Sequence, residues 1–478
     1  MADNHRKYTT LVNNTLLFAL SNFGSKLLSL IIRPYLTHAM DSPDVLGVSN
    51  LMQQVANLLI PVVSLGVSYA IIRFGLDKEN DPSSVFMNSL ATIGCGFALM
   101  VLAGPLVALI PEAGNYLVLL YLCVLMSCLR TLCTQFIRSR QLNRLVAIDG
   151  VLTTLSLFGF YILFLNVLKL GATGYLLALA CSDACSAVFV FVKGRCYEHV
   201  KPAKFDRVLW GEMLRYCVPM IPAAISFWII NASDMFYVKA MCDGYGGRSA
   251  DAWVGLLSMG YYLPQLITMV GQIFYEAWQL SAVTEEQDRQ AFFSKVFRVY
   301  ASVLFCCVAG VIWLCRPLMQ LPIFNVEYAE SWIFVPFLTL ASMTTCLNQF
   351  LNSIYVVYKR STSSLYTMLC GAAVNLVLNY LFIVRLGPWG VTLASFLSLG
   401  VVFLLRARST QGLLELDFHP EWMVLNLVLV GVEILMLYLL DSWVIPVTVM
   451  TAVICLLNFR EVGAMVTKLL GMVLRRRK

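Results

Sequence analysis

Asn22-Phe23-Gly24-Ser25-Lys26-Leu27-Leu28-Ser29-Leu30-Ile31-Ile32-Arg33, the stretch "NFGSKLLSLIIR", lies inside an apolar run from about Leu11 to Leu36. A helix of that length crosses roughly 30 Å of hydrocarbon. Each charge near the middle of such a helix costs roughly 2.5 to 3.5 kcal/mol on insertion scales, so it is expected to face a cavity or a partner. At helical spacing Asn22, Ser25, Lys26, Ser29 and Arg33 share one face, and the two cations stand about 10 Å apart along it. The stretch therefore reads as a membrane span with one cationic stripe.

The rest of the chain agrees with a membrane setting. Of 478 residues, 59% are hydrophobic and only 13% charged, and the mean hydropathy is +0.77; soluble domains are far less apolar and more charged. The apolar run after Thr10 is too long for a signal-peptide core and lacks a small-residue cleavage site, so no cleaved leader is expected. Most of the 15 cysteines, Cys123, Cys128, Cys181, Cys306, Cys307 and Cys455 among them, sit in apolar runs without metal-ligand spacing, and read as small packing residues. The four histidines are scattered near span ends. No metal site is expected.

The hydropathy pattern predicts an all-α integral membrane protein with about fourteen spans. Six lie near 11–36, 45–71, 84–110, 116–137, 149–168 and 173–193. Six more lie near 213–240, 253–282, 296–320, 331–356, 364–384 and 388–405, and two follow near 421–440 and 442–459. Lysine and arginine gather in alternate connections, from Arg6 and Lys7 to Arg475, Arg476, Arg477 and Lys478, which by the positive-inside rule places both termini in the cytoplasm. The long polar connection "GRCYEHVKPAKFDRVLWG" (Gly194 to Gly211) separates two lobes. The expected organisation is an N-terminal six-helix lobe (1–195), a cytoplasmic linker (196–212), a C-terminal six-helix lobe (213–406), two extra transmembrane helices (407–459) and a basic amphipathic tail (460–478) suited to an anionic membrane surface. Short matches between the halves, "VLGVSNL" at Val45 with "WVGLLSM" at Trp253 and "SNFGSK" with "INASDM", suggest a parallel pseudo-two-fold repeat.

Polar residues recur on single helix faces elsewhere. The second span carries Asn50, Gln54, Asn57, Ser64 and Ser68; the eighth carries Gln265, Thr268, Gln272, Glu276 and Gln279. The seventh holds Asn231 and Asp234, the tenth Thr345, Asn348, Gln349 and Asn352, the eleventh Asn375 and Asn379. Hydrogen bonding between helices is the plain alternative for these stripes. A hydrated groove with cations on one wall suits a diphosphate, while amides, Tyr261, Tyr262, Trp228 and Trp278 suit sugars.

The segment "MLRYCVPMIPAAISFWIINASDMF" (Met213 to Phe236), with "GVSNLMQQVANLLIPVVSLGVSYAIIRF" (Gly47 to Phe74), "QIFYEAWQLSA" (Gln272 to Ala282) and "VNLVLNYLFI" (Val374 to Ile383), resembles landmarks of bacterial polysaccharide-biosynthesis flippases, which are O-antigen-flippase-like. That family belongs to the multidrug, oligosaccharidyl-lipid and polysaccharide exporter superfamily. The resemblance runs from about Asn14 to Arg406. It implies a two-lobed, MATE-like bundle with a central cavity lined chiefly by spans 1, 2, 7 and 8. It also implies alternating access that carries an undecaprenyl-pyrophosphate-linked glycan to the outer leaflet of the bacterial cytoplasmic membrane. Three positions depart from the family pattern: Met235 and Tyr262 stand where bases are usual, and Glu276 stands where glutamine is usual.

The expected substrate-binding residues are thus Lys26, Arg33, Asn22, Asn50, Gln54, Asn57, Trp228, Asn231, Gln265, Gln272 and Trp278. Asp234 and Glu276 are candidates for binding a coupling ion, Na+ or H+, with a salt bridge to the cations as the alternative. No other cofactor and no nucleic acid is expected. The partners are membrane lipids, the lipid-linked oligosaccharide and, beside it, polysaccharide polymerase and glycosyltransferases, and the chain is expected to act as a monomer. No phosphate-binding glycine loop, metal cluster or nucleophile constellation points to an enzyme. A multidrug antiporter of the same fold is the competing reading, since bundle architecture does not fix the substrate.

Overall fold

The computed structural model describes residues 28, 30–40, 42–77, 79–109, 113–284, 289–358 and 360–475. Asn22 and Lys26 lie outside the described residues, as do the side chains of Glu276 and of residues 464–475. The helices are α1 (residues 30–39), α2 (Pro43–Val63), α3 (Val67–Gly75), α4 (Pro82–Leu102), α5 (Gly104–Val107), α6 (Leu117–Ser139), α7 (Asn143–Tyr161), α8 (Gly171–Lys193), α9 (Arg207–Cys217) and α10 (Ile221–Met241). They continue as α11 (Ala250–Gly260), α12 (Tyr262–Thr284), α13 (Arg289–Met319), α14 (Val335–Val357), α15 (Ser361–Leu386), α16 (Gly390–Gln411), α17 (Pro420–Leu439) and α18 (Val444–Arg475). No strand occurs among the described residues.

Eleven helical stretches among the described residues are long and apolar enough to cross a membrane. One, Thr362–Gln411, comprises α15 and α16 joined at Gly387–Trp389. The first expected span lies largely outside the described residues, and the eighth is broken at Tyr261 into α11 and α12. The second expected span is also two helices. Pro61 interrupts the hydrogen-bond ladder of α2, and Leu65 and Gly66 both take left-handed φ values, +47° and +66°, so the chain re-enters a helix only at Val67. The apolar run hides that break.

Local chemistry starts several helices. Asp81 caps α4 through the Ser83 amide, Asp206 caps α9 through Val208 and Leu209, and Ser249 caps α11 through Ala252; each satisfies amides that a helix start leaves unpaired. α18 runs without interruption from the last expected span into the basic tail, as far as Arg475.

The chain divides into two compact units, Met1–Trp228 and Ile229–Lys478, and the division falls within α10. In the first unit α6 packs along α8 and α2, and α3 lies against α4, α6 and α9. The connection expected as an inter-lobe linker is packed on this unit. Asn88 of α4 exchanges two hydrogen bonds with the Asp206 backbone at 3.0 and 3.1 Å. Trp210 donates to Thr92 at 2.9 Å, and Lys204 pairs with Asp81 at 3.1 Å.

In the second unit α16 packs against α14 and α15, α12 against α14, and α13 against α18. An aromatic cluster fills its core: the Trp278 ring lies 4.8 Å from Phe350 and 4.7 Å from Phe293, with Phe274 stacked on Tyr300 at 4.0 Å.

Candidate functional site

In the first unit, α1 carries Arg33 half-buried toward α2, where its guanidinium donates to the Asn50 side chain at 3.5 Å, a long bond. Asn50 is buried, and its amide also donates to the Leu46 carbonyl. One turn further along α2, Asn57 donates to Gln54 at 3.3 Å, the Trp228 indole donates to the Gln54 carbonyl at 2.8 Å, and the Tyr175 hydroxyl donates to Gln53 at 2.6 Å. No carboxylate pairs with Arg33 among the described residues. Among the described residues its hydrogen-bond partner is the neutral Asn50 side chain, an arrangement compatible with attracting an anion.

A separate polar cluster ties α6, α7 and α8 together. Arg130 pairs with Asp183 at 2.9 Å, Ser127 donates to the same carboxylate, and buried Asp149 accepts from Ser186 at 2.5 Å. This cluster accounts for Arg130 as an internal ion pair.

The second unit holds the more enclosed site. Asp234 on α10 is completely buried. One carboxylate oxygen accepts from the Tyr261 hydroxyl at 2.9 Å and from Ser395 of α16 at 2.7 Å. The other accepts from the Asn379 amide of α15 at 2.9 Å. Ser233 donates to Asn375 at 2.7 Å, Asn375 donates to Ser395 and Ser398, and the Asn379 side-chain carbonyl is buried with no partner. Within the second unit, the Asp234 carboxylate is compensated by the neutral donors Tyr261, Ser395 and Asn379. Carboxylate, amide carbonyl and hydroxyl oxygens form a hard donor set, the kind that holds alkali and alkaline-earth cations or a proton. Among the described residues no group of three or more His, Cys, Asp or Glu side chains is placed to hold a metal ion.

Residues 11–278 match the family described as "Polysaccharide biosynthesis protein". That is more than half of the chain. The chain belongs to this polysaccharide biosynthesis protein family. Among solved structures, the fold is similar to a lipid II flippase MurJ in an inward closed conformation, with a TM-score of 0.70 and 14% identity over 95% of this chain and 100% of that one. It is also similar to an inward-facing multidrug resistance MATE transporter of the MOP superfamily, with a TM-score of 0.62 and 15% identity over 81% of this chain and 95% of that one. A third similarity is to a MOP superfamily transporter from Pyrococcus furiosus, with a TM-score of 0.54 and 16% identity over 84% and 95%. No curated protein matches the sequence. These relatives in fold are flippases and transporters, not enzymes.

For this family member the expected site residues distribute unevenly. Arg33, Asn50, Gln54, Asn57 and Trp228 come together in the first unit. In the second, Asn231 and Gln265 are exposed and Gln272 is half-buried. Trp278, expected at the sugar, is buried in the aromatic core and donates to Ser353 at 2.9 Å. Arg406, at the expected end of the second lobe, is buried and donates to Thr367, Ser364 and the Asn348 carbonyl. The sequence reading missed Ser395 as an Asp234 partner, and it missed Glu433 of α17, completely buried and bonded by Thr451 at 2.6 Å. An acid in an apolar run signals Glu433; nothing local signals Ser395.

Proposed function

We propose that the chain moves a polyprenyl-pyrophosphate-linked oligosaccharide from the cytoplasmic to the outer leaflet of a bacterial plasma membrane for cell-surface polysaccharide synthesis, by alternating access of a cationic cavity. The observation that carries this reading is membership of the polysaccharide biosynthesis family across residues 11–278. Supporting it, Arg33 is half-buried in a helical stretch and bonded, among the described residues, to a neutral amide, where burial makes charge-assisted bonds to a diphosphate strong. Lys26, on the same helical face, would add a second cation. Arg33, Lys26 and Asn50 take the pyrophosphate; Gln54, Asn57 and Trp228 meet the first sugars.

Asp234, with Asn379 and Ser395, is the proposed site for a monovalent coupling ion, Na+ or H+. The geometry behind this is a buried carboxylate compensated by three neutral donors beside an unpartnered amide carbonyl. The membrane potential supplies a parallel driving force. Carrying a headgroup of charge near minus two outward from a negative interior releases roughly 4 to 5 kcal/mol at about 100 mV.

The test is a leaflet assay. The purified chain is placed in vesicles with a fluorescent undecaprenyl-pyrophosphate-linked glycan, and a membrane-impermeant quencher reports which leaflet holds it. Protein-dependent exposure of the probe, slowed in Arg33→Ala, supports the proposal. No movement of the probe, together with export of cationic dyes, would replace it with the multidrug antiporter reading.

A further inference from the structure

The first unit carries an apolar groove away from Arg33, Asn50 and Gln54. Between α4, α6 and α8 lies a cavity of about 250 Å³ lined wholly by apolar side chains, with Phe86 and Leu90 on one wall, Leu129 and Cys133 on the second, Val188 and Phe191 on the third. All three helices are long and apolar enough to cross a membrane, and the groove is open, since Val188 is 63% exposed.

The groove runs toward the end of the unit where the basic connection is packed. Phe86 meets Phe136 at 4.9 Å, and the Arg140 guanidinium lies 5.9 Å over that Phe136 ring. On the third wall Phe191 meets Tyr197 at 6.3 Å. Arg140 follows the end of α6 and Arg195 the end of α8, the helices whose Cys133 and Val188 line the groove, and Arg140 also donates to His199 at 2.8 Å. Arg195 is 74% exposed and pairs with Glu198 at 3.8 Å. Lys193 and Lys201 add positive charge in the same connection, where Asp81 is paired with Lys204 and Asp206 caps α9. An apolar slot thus ends in a surplus of cations.

We infer that this groove binds an anionic phospholipid of the adjoining leaflet, with one acyl chain in the slot and the phosphate held by Arg140 and Arg195. An apolar wall accepts any acyl chain, so selection rests on net charge: a zwitterionic headgroup carries its own ammonium and gains less from two arginines. The inference does not depend on what the protein transports.

Native mass spectrometry of the full-length chain in detergent, offered dioleoyl phosphatidylglycerol and dioleoyl phosphatidylcholine at equal concentration, tests it. The wild type is expected to retain the glycerol lipid preferentially. Each of Arg140→Gln and Arg195→Gln should cut that retention about fivefold, the effect of one basic residue near a membrane surface. Ala187→Leu, which fills the groove, should lower retention of both lipids. Equal retention of the two lipids by the wild type would overturn the inference, and so would unchanged retention in the double arginine variant. Displacement of phosphatidylglycerol by undecaprenyl pyrophosphate would overturn the choice of occupant. Because Arg195 is at the surface, its variant remains informative if the groove variant fails to fold, and none of these outcomes bears on the leaflet assay.

Discussion

At Asp234 three neutral donors surround a buried carboxylate, an arrangement that compensates charge without neutralising it. Asp234→Asn keeps the side-chain shape and removes the charge, so transport should continue while losing its dependence on an ion gradient, measured as flipping rate against imposed Na+ and H+ gradients. Unchanged ion dependence would remove Asp234 from coupling. Asp234→Ala differs, because it leaves the Tyr261 and Ser395 hydroxyls without this acceptor, at about 1–3 kcal/mol for each group stranded in the interior, while Asn379 keeps Ser233 and Asn375. Trp278 serves packing: Trp278→Ala should destabilise the second unit by about 3–5 kcal/mol, visible as a fall in Tm. A normal Tm with impaired sugar binding would restore its expected role. Asp234 stood out in the sequence because an acid in an apolar run is costly. Ser395 did not, because it lies 161 residues away and is an ordinary serine in an apolar run. Trp278 was ambiguous for another reason: an aromatic residue in an apolar helix looks the same whether it fills a core or faces a cavity.

At the scale of elements, the polar connection after α8 is a strap held to α4 and α6. Arg140 donates to His199 Nε2 at 2.8 Å, since a guanidinium has no acceptor. The Nδ1–H is therefore left to donate to Ser83 Oγ at 2.9 Å, and the ring is neutral. Burial first, then the Arg140 charge, pull its pKa below the ordinary 6.5. The unfolded chain thus takes up the proton first as pH falls, so the strap's contribution is full above about pH 6.5 and declines below it. Hydrogen exchange of residues 196–205 should show constant protection above that pH and progressive loss beneath it; the opposite trend would contradict the neutral tautomer. Helix contact is equally specific at Gly96 of α4, where an added Cβ would collide with the Val63 carbonyl of α2. Gly96→Ala should cost about 1–3 kcal/mol through overpacking, read as a lowered Tm. Apolar length made most helices legible, because a span must be long and uncharged. The break at Leu65–Gly66 was not, because hydropathy stays high through Ile71 while the backbone turns.

For the whole molecule, the chain belongs to the polysaccharide biosynthesis protein family and its fold is similar to those of a flippase and a MATE transporter, while the proposed substrate rests on chemistry. A headgroup bearing a diphosphate moves outward down the membrane potential, so flipping should accelerate as the vesicle interior is made negative, by the energy of about 2.3 kcal/mol per charge per 100 mV. The central claim is that Lys26 and Arg33 hold a diphosphate, and mass spectrometry of the lipids that copurify with the wild type and with the double variant Lys26→Ala, Arg33→Ala tests it most directly. A polyprenyl-pyrophosphate glycan present with the wild type and lost from the variant is the expected result. The same lipids with both proteins, or no anionic polyprenyl lipid with either, would contradict it and reduce the stripe to helix packing.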